Sequence, residues 1–138
     1  MKQISAYLHF NGNCRKAMTF YHECLGGELV LLPVSESPIA ADFPEPMRDT
    51  ILHADLKVNG FTIMGDDQPV GQGASEHAMS LMLECSSEAE VRDLFDKLSA
   101  GGEVHHPLED TFWNSLFGDL IDRFGFHWYL NFDKNQAA

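Results

Sequence analysis

Two glycine pairs, in LGGELV and AGGEVH, constrain this chain more than any other feature. Gly27 and Gly102 stand 75 positions apart. Each pair closes a segment with apolar residues at helical spacing, and glycine is favoured just past a helix end. In the first segment these are Ala17, Phe20, Tyr21 and Cys24, between Cys14 and Leu25, with Asn13 as the expected N-cap. In the second they are Val91, Leu94, Phe95 and Leu98, after a Ser87–Glu90 capping box. ISAYLHF precedes the first helix and alternates, as a half-buried strand does; HAMSLMLEC precedes the second. Three strands follow each helix. In the first half they are ELVLLPV, then ILHADLKV and FTIMGD joined by the Asn59–Gly60 hairpin turn. In the second they are EVHHPL, TFWNSLFGDLID and FGFHWYLNF. Three strands after each helix fit no singly alternating parallel sheet, so the class is α+β, built as two β-α-β-β-β modules.

The 138 residues suit one domain, with module 1 at about 1–66, a polar linker at 67–76 and module 2 at about 77–132. The Pro-rich, acidic SESPIAADFPEPMRDT stretch reads as a loop within module 1. The formal charge of −12 repels phosphate backbones and anionic lipid, which argues against nucleic-acid and membrane partners. No run approaches the roughly 18 apolar residues of a membrane span, and MKQISAYLHF lacks an apolar signal core. The three cysteines show no C-x-x-C and no zinc spacing, and read as buried thiols in a reducing compartment. The expected location is the cytoplasm.

AYLHFNGNCRKAMTFYHECLGGEL, IMGDD, LFDKLSAGGEV, EDTFW and GDLIDRFGFHWYLNF together resemble the PhnB-like branch of the vicinal oxygen chelate (glyoxalase/bleomycin resistance/dioxygenase) superfamily. The resemblance runs from Ile4 to Phe132. It implies two curved mixed sheets around a common cavity, helices on their outer faces, and a homodimer. In that arrangement Ala6, Leu8 and Phe10 face the helix while Tyr7 and His9 face the cavity. Leu52, Ala54, Leu56 and Val58 form the oily side of ILHADLKV, leaving His53 and Asp55 opposite. Phe126, Trp128, Leu130 and Phe132 form the oily stripe of the last strand, leaving His127, Tyr129 and Asn131. TFWNSLFG carries aromatic side chains on both faces, Trp113 with Phe117 and Phe112 with Leu116, so both faces are expected to be covered. The ligand-binding set is therefore Tyr7, His9, His53, His77, Trp113, Phe117, Tyr129 and Asn131.

The resemblance also implies a divalent ion held by His or Glu on the first and last strands of the modules. His77 matches one ligand position. The last-strand position falls on Tyr129, whose neutral phenol is a poor ligand, and the first-strand position on Ser5. No metal or other cofactor is therefore expected; a divalent ion, if present, would draw on His77 and His9. The remaining histidines read as ordinary: His105 and His106 as solvated, His22 as exposed on a helix. The Asp66–Asp67 pair reads as turn acidity. The expected function is binding of a small, partly aromatic molecule, with no reaction assigned by the residues. The alternative is a metal-dependent lyase, isomerase or dioxygenase of the glyoxalase type. The branch carries a methyltransferase label, but the chain lacks the strand, glycine-rich turn and helix of a nucleotide site.

Overall fold

The structure, a computed structural model, describes residues 5–67 and 79–136. Two compact units divide the chain, residues 1–73 and 74–138. Each is a four-stranded mixed sheet with one helix against it.

In the first unit the elements are β1 (Ala6–Phe10), α1 (Cys14–Leu25), β2 (Glu28–Pro33), β3 (Ile51–Val58) and β4 (Phe61–Asp67), with sheet order β1-β4-β3-β2. In the second they are β5 (Leu81–Cys85), α2 (Glu88–Ser99), β6 (Glu103–Asp110), β7 (Ser115–Ile121) and β8 (His127–Asp133), in the order β5-β8-β7-β6. The orders are the same, and in each the first strand runs parallel to the last while the other pairs are antiparallel. The repeat read from the glycine pairs is a repeat of topology.

Alternation puts one face of each sheet under its helix. Leu8, Phe10, Ala54, Leu56 and Ile63 are buried with Cys14, Ala17, Met18 and Tyr21 of α1. Leu116, Leu120, Trp128, Leu130 and Phe132 are buried with Val91, Phe95 and Leu98 of α2. All three cysteines are buried and unpaired by disulfides. Burial is the first cause that pushes the Cys14 and Cys85 thiols up to about 12, reinforced by Asp67 for Cys14 and Glu90 for Cys85.

The glycine pairs have a steric cause beyond ending the helices. A Cβ on Gly27 would lie 2.2 Å from the Lys57 carbonyl oxygen, and one on Gly102 2.2 Å from that of Ile121. In both units the chain leaving the helix presses directly on sheet backbone. The helix N-termini differ. Ser87 Oγ accepts from Glu90 N–H at 3.1 Å, as the capping box requires. Asn13 occupies the N-cap position of α1 without a side-chain bond. Asp67 at the end of β4 takes that role, accepting from Gly12 and Cys14 N–H at 2.8 and 3.0 Å through Oδ1 and from Ile51 N–H at 2.8 Å through Oδ2. Turn acidity thus does not describe Asp67; it joins the start of α1 to the start of β3.

Two expectations about strand faces are corrected. Leu52 is not part of the buried stripe of β3. The ladder passes from Leu32↔His53 to Pro33↔Ile51, so Leu52 is an extra residue in a bulge, and Ile51 sits on the core side at 1% exposure. The strand expected from Thr111 begins instead at Ser115. Residues 111–114 form a turn in which Thr111 N–H donates to Ser115 O, and Asn114 takes φ 62°. Phe112 lies on that turn at 97% exposure, so the residues around Trp113 do not bury both faces. Among the described residues no helix is long and apolar enough to cross a membrane.

Candidate functional site

The face of each sheet away from its helix carries the chemistry. In the first unit, β1 and β4 run in parallel register with His9 beside Asp66 and Tyr7 beside Met64. His9 Nδ1 lies 2.8 Å from Asp66 Oδ1, and Tyr7 Oη donates to Asp66 Oδ2 at 3.2 Å. His53, from β3, places Nδ1 3.4 Å from Tyr7 Oη. Tyr7, His9 and His53 of the expected set are therefore gathered, with Asp66 as a fourth member that sequence reasoning set aside. Burial, followed by the Asp66 charge, raises the Tyr7 phenol above its ordinary range, so it stays a hydrogen-bond donor. Asp55 on the same face keeps one carboxylate oxygen buried with no hydrogen-bond partner among the described residues.

In the second unit the rings form a ladder. Trp113 meets Phe117 edge-on at 6.1 Å, Phe117 stacks on Tyr129 at 5.5 Å, and Tyr129 meets His127 edge-on at 4.6 Å. Period-two alternation places Phe117 on β7 and His127 and Tyr129 on β8 on one face, and the 111–114 turn delivers Trp113 to the end of it. Trp113 is 49% exposed. Asn131 lies on the same face and donates to Glu84 Oε2 at 2.9 Å, while its own oxygen is buried without a partner among the described residues. His77 lies outside the described residues.

Beside the ladder sits a group that sequence reasoning missed. Asp119, on β7, has a side chain only 5% exposed. Its Oδ1 lies 2.5 Å from His106 Nδ1; its Oδ2 lies 2.6 Å from His127 Nε2 and 3.6 Å from His105 Nδ1. His127 in turn places Nδ1 2.6 Å from Ser80 Oγ. Burial pushes the Asp119 carboxyl up, but the bonds from His127 and His106 outweigh it and hold the carboxyl below its ordinary value. His105 and His106 are exposed, as expected, but they are not merely solvated. The register of β6 against β7 shifts between Val104 and His106, so His105 is an extra residue and the neighbouring imidazoles both reach Asp119 instead of opposite faces. Pro107 was the available signal: proline within a sheet occupies edges and bulges, and β6 is an edge strand.

A shallow cavity of about 380 Å³ lies elsewhere, lined by Leu25, Gly27, Glu28, Lys57, Val58 and Asn59. It contains none of the gathered histidines or aromatic rings.

Residues 2–131 match the family described as 3-demethylubiquinone-9 3-methyltransferase. The chain belongs to this PhnB-like family. A crystal structure of protein PA1353 from Pseudomonas aeruginosa is 41% identical, with a TM-score of 0.84 over 96% of this chain and 98% of that one. A putative 3-demethylubiquinone-9 3-methyltransferase, PhnB protein, from Bacillus cereus is 28% identical, with a TM-score of 0.78 over 95% and 99%. A glyoxalase-related enzyme from Fulvimarina pelagi shares the fold, at 21% identity and a TM-score of 0.61 over 96% and 88%. The expected fold class is thus the observed one.

Two implications of the PhnB-like label fare poorly against the residues. The described residues contain no glycine-rich turn between a strand and a helix of a parallel sheet, as an adenosyl donor site of the dinucleotide-binding kind requires. At the first- and last-strand metal positions that the resemblance implies, Ser5 and Tyr129 offer neutral hydroxyls, and the Tyr129 ring is stacked on Phe117; His77, the third, lies outside the described residues. Two neutral hydroxyls do not fit a divalent cation.

Proposed function

We propose that this PhnB-like protein binds a small, flat, partly aromatic molecule on the open face of its second sheet. The observation that carries the reading is the ring ladder Trp113–Phe117–Tyr129–His127, which ends in a half-exposed indole. Aromatic contacts of this kind contribute about 0.5–1.5 kcal/mol each beyond the area they bury. The unpartnered Asn131 oxygen supplies an acceptor for a donor on the ligand, since a buried oxygen without one costs about 1–3 kcal/mol. On the first sheet, Tyr7, His9, His53 and Asp66 form a separate polar cluster suited to hydroxyl or carbonyl groups.

Saturation-transfer difference NMR with 1-naphthol and 1,4-naphthoquinone as flat probes, in protein treated with a chelator, tests this. Transfer is expected to the wild type and to Val30→Ala, an exposed residue of β2 in the first unit. It is expected to fall at least about threefold in Trp113→Ala, a loss well within the worth of one stacking partner. Absence of transfer to wild type from both probes, or equal transfer to Trp113→Ala, overturns the reading.

A further inference from the structure

The bulged edge of the second sheet gathers donors in a way that ligand stacking does not require. A bulge costs the ladder a residue and persists where it re-aims side chains. Here it turns two successive imidazoles, His105 and His106, toward one carboxylate. That carboxylate is almost wholly buried, yet each of its oxygens meets an exposed ring, Oδ1 that of His106 and Oδ2 that of His105. Oδ2 is also held by His127, itself braced by Ser80, so the carboxylate cannot swing away. One donor atom from each of His105, His106 and Asp119 lies within 4.8 Å of the other two. An ion with bonds of about 2.0–2.1 Å in tetrahedral geometry separates neighbouring donor atoms by roughly 3.3 Å. The His106–Oδ1 distance of 2.5 Å and the His105–Oδ2 distance of 3.6 Å bracket that value, and the His106 side chain is 80% exposed.

We propose that His105, His106 and Asp119 form a binding site for a borderline divalent transition-metal ion, Zn²⁺ being the simplest. Two imidazoles and one carboxylate suit Zn²⁺, Co²⁺ or Ni²⁺ and disfavour Mg²⁺ and Ca²⁺, which require oxygen. Three protein donors on an exposed edge leave positions open for water or for an oxygen of a bound molecule. The net charge of −12 raises the local concentration of any cation. The site uses β6 and β7, and so differs from the first- and last-strand positions, where Ser5 and Tyr129 do not fit. It stands independently of the small-molecule reading.

The test is isothermal titration of chelator-stripped, full-length protein with Zn²⁺, paired with Co²⁺ absorption spectroscopy. One equivalent of Zn²⁺ is expected, with Co²⁺ giving the visible bands of a low-symmetry imidazole–carboxylate site, and Mg²⁺ giving no heat. His105→Ala and His106→Ala are each expected to weaken Zn²⁺ at least about tenfold, and Asp119→Asn more. Both histidines are surface residues, so their variants retain the fold; circular dichroism checks this, and they keep the test decisive if Asp119→Asn does not fold. His9→Ala and His77→Ala are expected to bind as wild type. Absence of Zn²⁺ binding at 100 µM, or full binding in the His105→Ala/His106→Ala double variant, overturns the proposal. So does loss in His77→Ala with none in His106→Ala.

Discussion

Replacing the second glycine of each pair by alanine should damage the two units for separable reasons. At Gly102 the backbone is not in the left-handed region, so only the clash acts: the new Cβ would sit 2.2 Å from Ile121 O, 2.9 Å from Asp122 C and 3.0 Å from Arg123 N. All three are backbone atoms, fixed by the turn before β8, and one strand must move by about an ångström. Overpacking of this kind costs roughly 1–3 kcal/mol. At Gly26 the reverse holds: φ is +76°, and nothing lies within 4 Å, so only backbone strain acts, roughly 1–2 kcal/mol. Gly27 combines the two, with φ +86° and a Cβ 2.2 Å from Lys57 O. Gly27→Ala should therefore cost about the sum, roughly 2–5 kcal/mol, out of a typical total of about 5–15. Urea unfolding measures this. Trp113 and Trp128 both belong to the second unit, so fluorescence follows Gly102→Ala, and hydrogen exchange of β3 follows Gly26→Ala and Gly27→Ala. A Gly102→Ala loss inside the roughly 0.5 kcal/mol of an ordinary surface change, or equal losses for Gly26→Ala and Gly27→Ala, would refute the reasoning.

Asp67→Asn keeps one acceptor oxygen but turns an amide toward either the α1 N–H groups or that of Ile51. It should cost about 1–3 kcal/mol in urea unfolding, and a loss below about 0.5 would show that Asp67 does not cap α1. Cys14 and Cys85, with thiols pushed up to about 12, should resist iodoacetamide in the native protein at about pH 8, conditions that label the urea-unfolded chain; mass spectrometry showing rapid native labelling of either would contradict their burial. Because folding favours these thiols protonated, their stabilisation is complete below the unfolded thiol value of about 8.5 and is lost as pH rises from there toward 12. Unfolding free energy should decline across that window, and the decline should shrink in Cys14→Ala/Cys85→Ala. The homodimer implied by the family resemblance should appear in sedimentation at two concentrations as twice the 15.5 kDa chain mass.

Much of the architecture is legible in the sequence because glycine pairs, helix periodicity and alternation act locally. The faces of β1 and β8 follow directly from period two, which correctly groups Tyr7 with His9 and Tyr129 with His127. Period two fails wherever an extra residue enters a strand, as at Leu52 in β3 and His105 in β6. Asp66 was hidden for a different reason. Its partners Tyr7 and His9 lie more than fifty positions away, and their meeting depends on the parallel register of β1 with β4, which no local pattern reveals. Trp113 was rightly placed beside Phe117, but through the Thr111–Ser115 turn instead of a longer strand.

The irregularity in β6 has a consequence for how such a sheet can change. Cancelling the first of its two register shifts by removing one residue would send one of the adjacent imidazoles to the opposite side and so dismantle the donor set. A single-codon deletion, without any substitution, could thus switch this edge between a chelating and a non-chelating surface, and a single insertion could create one on a sheet that had none.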